Sequence, residues 1–313
     1  MLVSLLWVVL GIALLYLGAE ALVSGASSLA QKLGLSRLVI GLTIVAFGTS
    51  TPELVVSVDA ALNDSGAIAV GNVVGSNICN VALILGLAAL VRPLTAESQL
   101  LRVDIPVLVV VALASVLVLA DNTVSRYEGV PMVLALVAYT LFVLRLARNN
   151  PEPQLERAGP PASVTRTGDI GLILGGLGLL VAGSRLLVVG AVDASIALGV
   201  TEAVVGLTIV ALGTSLPELA TSVLAARRGE GSIAIGNLVG SNIFNLLGIL
   251  GLAAVVRPLH DAAMSAVDLG TMVLTALVLV TLFVLRRTIG RAGGVALLAG
   301  YAAYVAWLVG QTV

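Results

Sequence analysis

Ten apolar stretches of about 20 residues or more dominate this 313-residue chain and leave little sequence between them. A helix needs about 20 largely apolar residues to cross the hydrocarbon of a bilayer. Segments 3–30, 37–62, 66–91, 103–120, 127–146, 168–198, 202–226, 231–256, 266–286 and 293–311 meet that requirement. Charged residues make up only 11% of the chain, where a soluble domain carries roughly 25%, so too little charge exists to cover a water-facing surface. The pattern predicts an all-α polytopic membrane protein with ten transmembrane helices and excludes an ordinary soluble enzyme. Residues 1–7 hold no basic residue and their apolar run continues past twenty positions, so the N-terminus reads as the first span and not as a cleaved leader, with the mature chain beginning there.

The strongest internal feature is a repeat at a constant offset of 165 residues. GLTIVAFGTSTPELVVSV at 41–58 recurs as GLTIVALGTSLPELATSV at 206–223, and GNVVGSNICNVALILGLAALVRPL at 71–94 recurs as GNLVGSNIFNLLGILGLAAVVRPL at 236–259. Most positions are identical, in apolar segments that tolerate many substitutions. Between the halves, residues 147–167 are polar and proline-rich, a flexible linker. The expected organisation is a five-helix repeat over 1–146, the linker over 147–167 and a second five-helix repeat over 168–313. An odd number of spans per repeat makes the second enter the membrane from the opposite side. Inverted repeats with interrupted helices mark secondary transporters, whose substrate sits near the midplane where the halves meet; the helices expected to be interrupted are 2, 3, 7 and 8.

Basic residues are retained in cytoplasmic loops. Lys32, Arg37, Arg92, Arg102, Arg145, Arg148, Arg157, Arg166, Arg227, Arg228, Arg286, Arg287 and Arg291 fall after odd-numbered spans, and only Arg126 and Arg257 fall on the other side. This places both termini outside and the linker in the cytoplasm of a cell inner (plasma) membrane. The lipid bilayer is the one partner this composition implies. With 16 Lys+Arg against 17 Asp+Glu there is no basic excess for nucleic acid. Cys79 and His260 stand alone, which removes disulfides, thiolate clusters and His-based zinc chemistry. No cofactor and no catalytic constellation is indicated, so the chain does not read as an enzyme.

In Gly48-Thr49-Ser50-Thr51-Pro52-Glu53 and Gly213-Thr214-Ser215-Leu216-Pro217-Glu218, a proline interrupts a helical apolar segment. The first half-helix should end with free carbonyls near Ala46–Thr49, and likewise near Ala211–Thr214. Pro52 then suits the start of the next half-helix, Ser50 or Thr51 its cap, and Glu53 its first turn. Backbone carbonyls, hydroxyls and one carboxylate gather at mid-span, without nitrogen or sulfur; such hard oxygens suit Ca²⁺, Mg²⁺ or Na⁺. A glutamate at midplane costs at least about 2.5 kcal/mol unless compensated, and here two stand at symmetric positions. At about 6 Å separation and an effective dielectric of about 20 they would repel by roughly 3 kcal/mol. One divalent cation, or several Na⁺, removes that repulsion, so the two cations compete for one site.

The second motif, Gly75-Ser76-Asn77-Ile78-Cys79-Asn80 and its copy Gly240-Ser241-Asn242-Ile243-Phe244-Asn245, adds neutral oxygens. Ser76 and Asn80 share one helix face, as do Ser241 and Asn245. Asn77 and Asn242 sit one position on and read as structural, the glycines as packing positions, and Cys79, which aligns with Phe244, as packing too. Glu20 and Arg185 are equivalent under the offset and read as interfacial, and Asp59 as a solvated helix end.

These residues resemble the cation/Ca²⁺ exchanger superfamily, prokaryotic Na⁺/Ca²⁺ exchanger type, through the doubled GTSTPEL/GTSLPEL and GSNICN/GSNIFN motifs. The resemblance implies a secondary antiporter exchanging about three Na⁺ for one Ca²⁺, with a monomer sufficient for transport. Under it Glu53 and Glu218 hold Ca²⁺ together with the Thr49 and Thr214 carbonyls. Na⁺ sites flank them, one with Ser50, Ser76 and the Ala46 carbonyl, the other with Ser215, Ser241 and the Ala211 carbonyl, and Asn80 and Asn245 complete the centre. Helices 1 and 6 would slide as a gating pair. K⁺-dependent, H⁺- or Mg²⁺-coupled exchange and a cation channel are the alternatives; the Ca²⁺/H⁺ branch carries a glutamate shortly after the Gly-Asn of the second motif, and this chain has Val or Leu there.

Overall fold

The computed structural model describes residues 2–149, 166–197, 211–260, 262 and 264–310. Residues 150–165 of the linker expected over 147–167, and residues 202–210 of the seventh expected span, lie outside them; the linker's ends, 147–149 and 166–167, continue the flanking helices. Among the described residues, eight helices are long and apolar enough to cross a membrane, and a bent pair makes a ninth. In chain order they are α1 (Leu2–Leu33), the bent pair α2 (Arg37–Thr49) and α3 (Thr51–Leu62), α4 (Gly66–Val91), α5 (Leu100–Asp121), α6 (Arg126–Asn149) and α7 (Arg166–Ala197). Further along the chain come α8 (Ala211–Gly213), α9 (Leu216–Arg228), α10 (Gly231–Val256), α11 (Ala266–Arg286) and α12 (Arg291–Gly310).

Local sequence explains several helix starts. Ser36 accepts from the Val39 amide at 3.2 Å. Ser125 and Glu128, and Ser265 and Asp268, sit three apart at the starts of α6 and α11, with the Ser125 amide donating to Glu128 at 2.8 Å and the Asp268 amide to Ser265 at 3.1 Å. The turns from α3 to α4 and from α9 to α10 place Asp64 and Gly229, 165 apart, at positive φ of 55° and 84°, a backbone that glycine adopts without strain.

Spans α4 and α10 are central: 78% of the apolar window of each is buried, against 11% for α12. Each packs on half-helices of the other repeat, α10 on α2 and α3, α4 on α9. Where interruptions were expected in helices 3 and 8, α4 and α10 run through unbroken. Each instead widens into a π-helical turn, Cys79–Ile84 and Phe244–Ile249. Neither motif contains a proline, so no amide is lost and one added residue per turn is enough to re-aim the side chains.

Contacts recur under the 165 offset across the whole structure. The two-residue strands β1 (Leu94–Thr95) and β2 (Thr288–Ile289) pair antiparallel, Leu94 opposite Ile289, and Val124 bridges Leu259 in the same way. Arg126 donates to the Val255 carbonyl at 3.0 Å and Arg291 to that of Leu90 at 3.2 Å. Tyr139 donates to buried Asp104 at 2.9 Å and Tyr304 to Asp268 at 2.7 Å. The Asp–Tyr pairs belong to the same symmetry with one residue of slippage, outside the blocks that the sequence repeat makes obvious.

Helices α1 and α7 form a separate antiparallel pair along their whole length. Ser4 faces Gly190, Gly11 faces Gly183, Gly18 faces Gly176 and Gly25 faces the Asp169 backbone, one close approach per two turns, with small residues on both sides at the first three. Backbones can approach this closely only where Cβ atoms are missing. An added Cβ at Gly176 would lie 2.7 Å from the Gly18 carbonyl oxygen, whereas at Gly178 it would meet nothing within 4 Å. Gly176→Ala should therefore destabilise the purified protein by about 1–3 kcal/mol. Gly178→Ala should be neutral or stabilising by up to about 1 kcal/mol. Thermal melting in detergent gives the order; equal melting of both variants would contradict the seam.

Candidate functional site: a two-fold oxygen cradle

The α2–α3 break is a 46° bend at Ser50. Ser50 has φ −81° and ψ 8°, and Ser215, between α8 and α9, has −86° and 5°. The two breaks are thus the same local structure. Proline lies in the first turn of the half-helix that follows each, with Glu53 and Glu218 in that same turn. The position suits a carboxylate at a helix N-terminus. Neither serine spends its hydroxyl on capping. Ser50 donates to Glu218 Oε1 at 2.7 Å and Ser215 donates to Glu53 Oε1 at 3.0 Å. Each glutamate is held by the serine of the opposite repeat.

This crossing redistributes the expected groupings. Ser76 lies with Ser215, 3.4 Å between hydroxyls, and Ser241 donates to the Ala46 carbonyl at 3.4 Å. The Ala46 carbonyl is not free: it also accepts from the Ser50 amide at 3.0 Å, the regular helical bond, and from the Thr49 hydroxyl at 3.3 Å. Ala211 opens α8 at the equivalent place. Thr49 is fully buried and its hydroxyl lies 3.0 Å from Asn237 Oδ1.

Asn80 and Asn245, each inside a π-helical turn, add amides from α4 and α10. Their NH₂ groups are used within the protein, Asn80 on Asn242 Oδ1 at 3.0 Å and Asn245 on Asn77 Oδ1 at 3.1 Å. Residues not assigned a role from sequence brace the motifs: Asn72 donates to Ser57 at 2.9 Å and to the Glu53 carbonyl at 3.1 Å, and Asn237 donates to Ser222 at 2.9 Å. All four recur at the 165 offset within the repeated blocks, and that pairing was the available signal.

After these bonds are counted, Glu53 Oε2, Glu218 Oε2, Asn80 Oδ1, Asn245 Oδ1 and Thr214 Oγ1 remain buried with no hydrogen-bond partner among the described residues. The two glutamates and both asparagines are each 1% exposed, and the carboxylates are within Coulombic reach of one another. Buried acceptors normally find partners. Four of these five are carboxylate or amide oxygens; Asp169 Oδ1 and Thr221 Oγ1 are left in the same way. Hard cations are the chemistry that such a set can hold. Among the described residues no cluster of three or more His, Cys, Asp or Glu exists, so the donors here are two carboxylates supplemented by neutral oxygens.

Glu20 and Arg185 do not pair. Glu20 instead meets Arg228, which also reaches Ser24, while Ser27 donates to Glu230 at 3.3 Å, so α1 is tied to the α9–α10 turn. Helix α7 lies over both breaks: an added Cβ at Gly48 would be 2.7 Å from the Leu177 side chain, and one at Gly213 would be 2.6 Å from that of Val188.

The family profile described as sodium/calcium exchanger protein matches residues 3–145 and 169–310. The inner membrane protein YrbG of Escherichia coli is 37% identical over 98% of this chain and 97% of its own length. The sodium/calcium exchanger MaX1 of Methanosarcina acetivorans is 49% identical over 102 residues, 33% of this chain and 29% of that protein. A solved structure of the sodium-calcium exchanger NCX_Mj superposes with a TM-score of 0.84 at 32% identity, covering 97% of this chain and 98% of the other.

The crossed serine bonds generate a symmetric expectation. A hydrogen bond to a charged group is worth about 1.5–3 kcal/mol. Ser50→Ala and Ser215→Ala should each weaken Ca²⁺ binding about tenfold or more, by similar factors, as read by calorimetry on purified protein. A large effect from one serine and none from the other would contradict a two-fold site.

Proposed function

Since the chain belongs to the sodium/calcium exchanger family and exchanges Na⁺ for Ca²⁺, we propose that both ions use the two-fold cradle in turn, by alternating access. The observation carrying this reading is the set of unpartnered oxygens left by the crossed serine–glutamate bonds. Ca²⁺ sits between Glu53 and Glu218 with the Thr49 and Thr214 carbonyls, and Asn80 and Asn245 turn their amide oxygens toward the centre. Na⁺ takes flanking positions. One has Glu218, Ser50, Ser241 and the Ala46 carbonyl, a grouping supported by the crossed serine bonds, and the other, by the 165 offset, has Glu53, Ser215, Ser76 and the Ala211 carbonyl. Either one Ca²⁺ or several Na⁺ relieves the repulsion between the carboxylates; both together would overcharge the cradle, which gives competition and hence exchange.

The ten spans form two inverted repeats with both termini extracytoplasmic and the linker cytoplasmic, an arrangement supported by the basic loops and by contacts that interchange under the 165 offset. An inner-membrane location accords with the name of the YrbG relative. The α1–α7 pair moves as one body, since its glycine seam locks the two helices together and α7 lies over both breaks. Sliding this pair past Gly48 and Gly213 uncovers one break and covers the other.

With about three Na⁺ leaving for each Ca²⁺ entering, three positive charges go out and two come in. Net positive charge leaves, so an inside-negative potential should slow Ca²⁺ uptake and an inside-positive one should accelerate it. In proteoliposomes loaded with Na⁺, uptake should require internal Na⁺ and persist without K⁺, Mg²⁺ or a proton gradient. Uptake that follows the Ca²⁺ gradient with no counter-ion would identify a channel. Glu53→Gln and Glu218→Gln should each abolish exchange in folded protein; transport retained by both would remove the glutamates from the site.

A further inference from the structure

Asn77 and Asn242 are 2% and 3% exposed and lie at the contact of α4 with α10. They make a closed set of four bonds with their neighbours. Asn77 Nδ2 donates to the Asn242 backbone carbonyl at 3.4 Å, and Asn242 Nδ2 donates to that of Asn77 at 3.3 Å. Asn77 Oδ1 accepts from Asn245 at 3.1 Å, and Asn242 Oδ1 accepts from Asn80 at 3.0 Å.

The polarity of this set is forced. A carboxamide has an accepting end and a donating end of nearly the same shape, and only its hydrogen-bond partners decide which way it faces. A backbone carbonyl can only accept, so the NH₂ of Asn77 must face it. Its Oδ1 then faces Asn245, whose NH₂ must turn to meet it. What remains for the cradle is Asn245 Oδ1, and by the same steps Asn80 Oδ1, both buried and unpartnered. Glutamates need no such device, because both carboxylate oxygens accept.

We propose that Asn77 and Asn242 are positioning residues, a polarity relay that turns the amide oxygens, and not the NH₂ groups, of Asn245 and Asn80 toward the transported cations. This deepens the reading of the cradle and rests on it. It also gives the asparagines of the Gly-Ser-Asn motif a role beyond packing: without them either amide can rotate by half a turn and present two N–H donors to a cation.

The relay is tested by flux in proteoliposomes with Asn77→Leu and Asn242→Leu. The half-saturating Ca²⁺ concentration should rise about tenfold, the effect of one lost polar contact to a charge, with little change in maximal rate. The second arm is rescue. Asn77→Leu combined with Asn245→Asp should recover the affinity of Asn245→Asp alone, because a carboxylate presents oxygen whichever way it turns; a packing defect would not be repaired at position 245. If Asn77→Leu does not yield monodisperse protein, Asn77→Ala serves, since water entering the space cannot fix the direction of the amide. Unchanged Ca²⁺ half-saturation in both single variants, or a loss that Asn245→Asp does not rescue, would overturn the relay. If Glu53→Gln abolishes exchange while Asn77→Leu is silent, the relay alone falls; if Glu53→Gln still transports, the cradle itself is misplaced.

Discussion

Glu53 and Glu218 bring two carboxylates into the most enclosed part of the fold, each 1% exposed. A carboxylate at membrane depth persists only with compensation, and the protein supplies part of it, including a helix N-terminus and a serine hydroxyl of the opposite repeat for each glutamate. The second oxygen of each is left without a protein partner among the described residues. The balance has to come from cations, and the rest of the architecture can be understood as a means of bringing those two carboxylates together while keeping them reachable.

The crossed bonding is central to this. Each repeat carries half of every interaction that defines the cradle: Ser50 serves Glu218, Ser215 serves Glu53, Ser241 meets the Ala46 carbonyl, and Asn77 and Asn242 hold each other's neighbours. The site therefore exists only when the repeats dock, and its two-fold symmetry follows from that docking. Proline breaks free the α2–α3 and α8–α9 junctions from regular geometry, which is tolerated at this depth because the freed groups line protein and not lipid. π-helical turns perform the parallel task in α4 and α10 without breaking them. Outside this core, the α1–α7 pair is held together by backbone proximity at glycines and joined to the rest by ionic contacts to the α9–α10 turn and by the bond from Ser184 to the Gly213 carbonyl.

Much of this was legible in the sequence because the signals were local or repeated. The span positions follow from apolar run length, and the motif breaks from Pro52 and Pro217. Long-range pairings were not legible. Nothing in the one-dimensional pattern says that Ser50 crosses to Glu218 and not to its near neighbour Glu53, because that depends on how two helical surfaces dock. The π-helical turns at Cys79–Ile84 and Phe244–Ile249 were invisible because they carry no breaker residue. Reading Asn77 and Asn242 as structural followed from their helical angle relative to Ser76 and Ser241, which was correct as geometry. What that angle does not show is that their Oδ1 atoms receive the NH₂ groups of Asn245 and Asn80 from the other repeat.

The most direct test of the account is equilibrium Ca²⁺ binding to the purified protein under Na⁺ competition, in the wild type and in Glu53→Gln and Glu218→Gln. The account predicts one Ca²⁺ per chain, displaced by Na⁺ along a sigmoidal curve because several Na⁺ replace it, and loss of that binding in either variant. Ca²⁺ binding that survives both substitutions, or that Na⁺ fails to displace, would contradict it.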